Sequence, residues 1–582
     1  MRCCLSVAVV GVSSVALAQP DFSVFSIGVN QAGWRPEAPK WCRVTNPPSQ
    51  DFVVQTIGTD VWWRTVQRGK FLPSGTTNGV FVADISSITK PGDYRILCGD
   101  GRENRGGCEG GLPGGFKGVA SFHFPIRGGA YDNVERMFVQ YCTWQRCGHK
   151  KGWAGVCHQD PVPVKDLDGK TVRTIDVRGG FHQSADLRCW HDGVSQSMYQ
   201  LLRYAELSRP EWDDGEIAEN IRWGCDYFLK VLSPAGYLYT CQFVPLGWGP
   251  RDYYDHPSNL GSQCTTAMLF ARAARFFRAT DPEYADRLGA AARRIFTCVE
   301  TNPLFAKPPV RVVKELPPGT QPEDTWFAQQ FRDSVAGLSE RAGMALELYR
   351  TTGERAFAEL AKRCGSEMVA RQFTEGPHEG LYRNLRGSDE FGFKDCSYAF
   401  TVSGLTMPLE IYREFGGDEF RAAAERTAAR YVRELKEDDF RPPLPRMSSS
   451  WSLTRARYLA MCANLFGRED LRPFAQRAFD WVLGANPMNA SYVEGVGQNQ
   501  WQRPVFGQFF PSTPQIPGGM LHYFGGEYDM PPVTQALWAI VELKMRKSDD
   551  LGHEPMTALR HLPDVAAGAG RRCDLMSGNG SH

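Results

Sequence analysis

The chain has 582 residues, with 66 Lys+Arg against 65 Asp+Glu and a formal net charge of +1. That length exceeds what one hydrophobic core supports, so two domains are expected, one of them large. The balanced charge removes the electrostatic case for nucleic acid or an anionic membrane surface as partner; the expected ligand is neutral, and 15 Trp and 20 Tyr supply flat rings on which neutral sugars stack.

Residues 1–18 read as an export signal: Arg2 gives a basic start, Leu5 to Leu17 is small and apolar, and Ala16-Leu17-Ala18 fits a cleavage site before Gln19. The mature protein is therefore expected to be secreted or periplasmic. No stretch is long and uncharged enough to span a bilayer. Of the 17 cysteines only Cys3 and Cys4 lie inside the signal, and Cys98 and Cys108, flanking a Gly-rich segment, are the best-placed local disulfide.

Residues 22–127 carry short β-like runs at Phe52-Val53-Val54, Val80-Phe81-Val82, Tyr94–Leu97 and Ser121–Phe124. Gly, Pro, Asn and Asp clusters separate them, the pattern of a β-sandwich. Next come Cys147, Cys157-His158 and His182 within 36 residues, with Asp186 four residues later. Two thiolates and two imidazoles are the donor set of a closed tetrahedral zinc site, one that holds structure and leaves no position for substrate. It would tie the loop bearing Asp186 to a helix end. A Cys147–Cys157 disulfide is the alternative in an oxidising compartment.

From about Ala130 the period becomes helical, and residues 128–548 read as one helical domain ahead of a loosely ordered tail at 549–582. Twelve helices are expected near 132–146, 192–207, 215–233, 261–279, 282–299, 332–352, 354–372, 396–414, 417–435, 449–465, 468–484 and 532–546. Turns such as Thr280-Asp281-Pro282, Thr352-Gly353-Glu354, Gly417-Asp418-Glu419 and Gly467-Arg468-Glu469 punctuate them, so Gly ends one helix and an acidic or Pro-bearing turn opens the next. Six hairpins either close into an (α/α)6 toroid or stack as an open solenoid. Long loops at 234–260, 374–395 and 486–530 favour closure, with function carried on those loops.

Several stretches resemble glycoside hydrolase family 9, whose cellulase-like members set an immunoglobulin-like domain ahead of an (α/α)6 barrel. They are Ile27–Pro36 and Gly92–Arg95, the zinc segments Gln145–Gly148 and Cys157–Asp160, and Gly179-Gly180-Phe181-His182. Phe479–Pro487 and Ser491-Tyr492-Val493 complete the set. The resemblance implies an inverting hydrolysis of β-glycosidic bonds in a polysaccharide or oligosaccharide, a structural zinc on Cys147, Cys157, His158 and His182, room for calcium, and a monomer. It also implies that Asp186, last of Gln183-Ser184-Ala185-Asp186, is the general base, and that Glu527 is the general acid. Trp248, Tyr253, Tyr254, Arg503 and Tyr523 would contact sugar. An inverting pair works across about 6.5–9.5 Å, so two acids about 340 positions apart must meet. The apolar Tyr523, Phe524 and Tyr528 would help keep Glu527 protonated.

The chain departs from the family pattern at Gln183, which stands where the first of two aspartates is usual, and an amide brings no charge to the attacking water. The usual His-Arg cluster after Tyr492 is replaced by Gln498, Asn499, Gln502 and Arg503, which weakens a cellulose-specific reading. Pro531-Pro532 is expected to delay the last helix. Asp192, Glu494 and Asp529 are the alternative carboxylates. A silent carbohydrate-binding relative and a protein-binding solenoid are the rival readings.

Overall fold

The structure, a computed structural model, describes residues 24–75, 77–99, 116–184, 189, 191–242, 252–306, 331–389, 405–437, 439–442, 448–500, 516–522 and 528–545. The expected export signal, the tail and Cys108 lie outside these residues. No described helix is long and apolar enough to cross a membrane.

Eight strands build the N-terminal part: β1 Trp41–Thr45, β2 Asp51–Ile57, β3 Trp63–Lys70, β4 Leu72–Pro73, β5 Val80–Asp84, β6 Gly92–Gly99, β7 Gly118–Ala120 and β8 Phe124–Ile126. They form antiparallel sheets ordered β3-β2-β6-β7, with β8 also on β6, and β1-β5-β4. Trp34, Val44, Phe52, Val54, Phe71, Ile85, Ile96 and Phe124 fill the core between them. Central β6 is buried from Tyr94 to Cys98, whereas on edge strand β3 every second residue from Arg64 to Lys70 faces out, as a one-sided antiparallel sheet requires. The run Ser121–Phe124 is not the single strand expected. Ser121 Oγ accepts the Ile96 amide at 2.9 Å and donates to Phe122 O at 2.8 Å, and this local bonding interrupts the ladder between β7 and β8.

Twelve helices follow among the described residues: α1 Asp132–Trp144, α2 His191–Ser208, α3 Glu216–Lys230, α4 Leu260–Phe277, α5 Pro282–Thr301, α6 Val335–Thr352, α7 Arg355–Val369, α8 Met407–Phe415, α9 Asp418–Glu437, α10 Ser448–Phe466, α11 Arg472–Val482 and α12 Met530–Lys544. The even-numbered helices pack each on the next, and α12 packs on α2, so the ring closes and the open solenoid is excluded. Burial follows position. Every residue of inner α10 from Ser448 to Asn464 is buried, and its many Ser and Ala let neighbours approach closely; outer α9 buries only the stripe Phe420, Ala423, Ala424, Thr427, Ala428, Tyr431 and Leu435. A buried ionic chain of Arg203, Glu410, Arg350, Glu347 and Arg272 crosses four inner helices. Removing Glu347 or Glu410, each paired with more than one of these arginines, would leave uncompensated positive charge inside the ring.

The turn chemistry read from the sequence operates as expected. Asp281 caps α5 by accepting from Tyr284 N, and Gly353 ends α6 at φ 72°. The expectation for Pro531-Pro532 is corrected, because α12 begins before them at Met530, capped by Asp529. A proline in the first turn lacks only an amide that has no helical partner there. Six further strands lie among the helices: β9 Val162–Lys165, β10 Thr171–Ile175, β11 Tyr239–Gln242, β12 Asp252–Pro257, β13 Met520–Leu521 and β14 Tyr528–Asp529. The stretch 234–260 is thus partly a hairpin, β11 on β12.

The sandwich and the ring join at Asp480. This fully buried carboxylate accepts from Asn30 Nδ2 at 2.7 Å, Trp34 Nε1 at 2.8 Å and Gln476 Nε2 at 2.7 Å. Burial pushes its pKa up to about 7, against about 3.9 in an unfolded chain. The folded state therefore holds a proton that the unfolded state has released, and stability falls as pH rises from about 4 to 7, by about 4 kcal/mol in all. Asp480→Asn removes this slope. In urea unfolding at pH 5 and pH 8, the stability gap between wild type and variant is expected to narrow at the higher pH.

Candidate active site and metal centre

The metal cluster is assembled by a short ladder. His182 N donates to Gln145 O at 2.8 Å and Cys147 N to Gly180 O at 2.9 Å, which lays the end of α1 beside the Gly-Gly-Phe-His stretch. Gly180 is required here, since it has φ 73° and a Cβ would stand 2.8 Å from the Tyr227 ring. Neighbours on an extended strand point to opposite faces; His158 instead has φ 50°, which turns it and Cys157 to one side. The Gly148 amide donates to Cys157 Sγ at 3.3 Å.

The four ligand atoms of Cys147, Cys157, His158 and His182 all lie within 4.8 Å of one another. Sγ of Cys147 and Sγ of Cys157 are 3.8 Å apart, Cys147 Sγ and His158 Nδ1 3.4 Å, and Cys157 Sγ and His182 Nε2 3.4 Å. A zinc tetrahedron with bonds of about 2.3 Å to sulfur and about 2.0 Å to nitrogen has edges of about 3.8 and 3.5 Å, so these three separations match that ion. The sulfurs are far beyond the roughly 2.05 Å of a disulfide. Cys189, given no role by the sequence reading, packs against both thiols.

Immediately after His182 the chain meets its own far end. Met530 N donates to Gln183 O at 2.9 Å, and Ser184 forms a bridge with Asp529. Strand β14 then pairs with β13, and Val493 bridges Met520 on the other side. Four stretches singled out from sequence or lying beside them, around residues 183–184, 528–530, 520–521 and 492–493, thus lie edge to edge. Asp186 comes two residues after Ser184, and Glu527 immediately before Tyr528. Both lie outside the described residues, as do Trp248, Arg503 and Tyr523.

Gln183 is buried, and its Nε2 donates to Asp529 Oδ2 at 3.5 Å. Asp529 is fully buried, accepts from Met530 N at 2.9 Å and is in contact with His522 Nε2 through its Oδ2. Sequence reasoning missed His522, because a single histidine between apolar residues carries no pattern. Burial, with the nearby Asp529 charge adding to it, raises the Tyr141 phenol well above its ordinary range. Glu494 accepts from the Tyr528 hydroxyl.

The expectation that Tyr253 contacts sugar is corrected. Tyr253 is fully buried on β12, with its hydroxyl 2.8 Å from that of Tyr227, which also lies 3.2 Å from His191 Nε2; strand alternation leaves Tyr254 half-buried and the more accessible of the two. Gln498 and Asn499 face the sandwich, where Gln31 Oε1 accepts both their amides at 2.9 Å and Gln498 Oε1 accepts from His123 N.

Known proteins align with this arrangement. A cellodextrinase from Butyrivibrio fibrisolvens is 22% identical over 521 residues, spanning 82% of this chain and 86% of the relative. A family 9 glycoside hydrolase from Bacteroides ovatus superposes with TM-score 0.66 at 15% identity, covering 90% of this chain and 99% of that structure. The zinc-binding triple mutant of the family 9 endoglucanase J30 superposes with TM-score 0.65 at 18% identity, covering 88% and 100%. The family model for glycosyl hydrolase family 9 matches residues 131–508, well over half the chain, and the chain belongs to that family.

Proposed function

We propose that the protein hydrolyses β-glycosidic bonds in a neutral polysaccharide or oligosaccharide with inversion at the anomeric carbon. Asp186 acts as general base, Glu527 as general acid and Gln183 as an orienting neighbour of the attacking water. The observation that carries this reading is the pairing of Gln183-Ser184 with Asp529-Met530. It draws together the backbone just before Asp186 and just after Glu527, which an inverting pair needs if its carboxyls are to stand about 6.5–9.5 Å apart across a sugar. One carboxyl protonates the departing oxygen while the other takes a proton from water on the opposite face.

Cys147, Cys157, His158 and His182 would hold zinc, which when bound supplies rigidity to the loop leading to Asp186 and, with four protein ligands, takes no direct part in bond cleavage. The opening segment, with the features of an export signal, supports a secreted or periplasmic protein.

The informative experiment is a screen of soluble β-glucans and cello-oligosaccharides with product anomers followed by NMR. Early product is expected to be the α-anomer; a β-anomer first would sink the inverting mechanism. Gln183 favours a second reading, a carbohydrate-binding relative that has lost hydrolysis. Oligosaccharide binding without new reducing ends after long incubation would support it.

A further inference from the structure

We propose that Asp529, backed by His522, is a positioning residue that sets Gln183 as the acceptor for an O–H group at the reaction centre. The group is either a hydroxyl of the bound sugar or the water that attacks it. This rests on the glycosidase reading above and adds to it a residue pair from the opposite end of the chain.

Three observations meet here. Gln183 is 4% exposed, and its Oε1 has no hydrogen-bond partner among the described residues. A buried amide oxygen left unsatisfied costs free energy, so a site that retains one is suited to a ligand that completes it. Next, Asp529 fixes which way the amide points. Its Oδ2 faces Gln183 Nε2 at 3.5 Å, and a carboxylate oxygen carries no proton to donate to an amide oxygen, so the nitrogen must turn toward it and Oε1 away. Last, the pair is itself held in place. Asp529 is locked by the Met530 amide and by His522 Nε2. The backbone carbonyl of His522 accepts from Ser449 N at 3.1 Å, Ser449 Oγ at 3.1 Å and Ser448 Oγ at 3.2 Å at the start of α10.

The neighbouring backbone is shaped for the amide. A Cβ on Gly193 would stand 1.8 Å from Gln183 Oε1, so only glycine at the start of α2 leaves this oxygen its place. The carboxylate that Gln183 lacks is thereby present one hydrogen bond away, contributed by residue 529.

The test is Asp529→Asn, which keeps the size of the side chain and its ability to cap α12. Both cellotetraose affinity, by calorimetry, and steady-state hydrolysis are measured. If Gln183 serves the attacking water, kcat falls about tenfold or more with KM held; if it serves a sugar hydroxyl, affinity falls about tenfold with kcat held. The double variant Gln183→Glu/Asp529→Asn reverses the pair, with amide at 529 and carboxylate at 183, and is expected to recover most of the loss, a rescue that a purely structural defect would not permit. Unchanged affinity and unchanged kcat in Asp529→Asn would overturn the assignment, as would loss without rescue. If the wild-type protein binds cellotetraose but hydrolyses nothing, the glycosidase reading fails while the affinity measurements still decide the role of Asp529. Absence of binding by the wild type would overturn both.

Discussion

Asp186→Asn is expected to lower the rate of glycoside hydrolysis by about 10²–10⁴-fold while leaving bound zinc and thermal stability as in the wild type. The asparagine is isosteric and still accepts a hydrogen bond, but it cannot take a proton from water, so only the chemical step is lost. Oligosaccharide affinity should hold within about threefold, because the ground-state contact survives the change. Full hydrolysis by the variant would exclude Asp186 as base and return attention to Glu494 and Asp529, both buried. The chemical requirement is independent of Gln183. A neutral amide lowers the basicity available to the water, so the wild-type rate is expected to be modest, but the remaining rate still needs one group able to accept the proton.

The second large effect is loss of the metal centre. Cys157→Ser, or prolonged chelation of the wild type, is expected to reduce bound zinc below about half an equivalent and to cost on the order of 5 kcal/mol of stability. Sγ of Cys157 is the hub of the cluster, in contact with Cys147 Sγ, His182 Nε2 and the Gly148 amide. Without an ion, two thiols and two imidazoles remain crowded within 4.8 Å, and the left-handed turn at His158 has no ligand bond to hold it. Hydrolysis should fall with the metal, since His182 precedes Gln183 directly. Wild-type protein that carries less than half an equivalent of zinc after gentle purification would remove the metal reading.

The helical ring was legible because its signals are local. The 3.6-residue period, an Asp-Pro turn before α5 and a glycine after α6 are each set within one or two turns of chain. The metal ligands were legible for a related reason, as thiols and imidazoles are scarce and clustered. The joint at Asp480 was not, because Asn30 and Asp480 are 450 positions apart and nothing local marks an asparagine as a partner for a distant acid. His522 and the role of Asp529 were hidden in the same way, by contacts that only the closed ring creates. Tyr253 was misread for the opposite reason. An aromatic pair beside a long loop suggests an exposed platform, yet the period of two along β12 sends one ring inward and leaves the other partly out. Pro531 and Pro532 show how the same residue stops a helix or starts one depending on which turn it occupies.

The bonds from Asn30 and Trp34 to Asp480 also bear on biosynthesis. A ribosome adds about 5–20 residues per second, so the first partners emerge on the order of tens of seconds before the acid that completes their contact. During that interval Asn30 and Trp34 have no Asp480 to bond to. Docking of the two halves through this contact must then await Asp480, hundreds of residues after its partners.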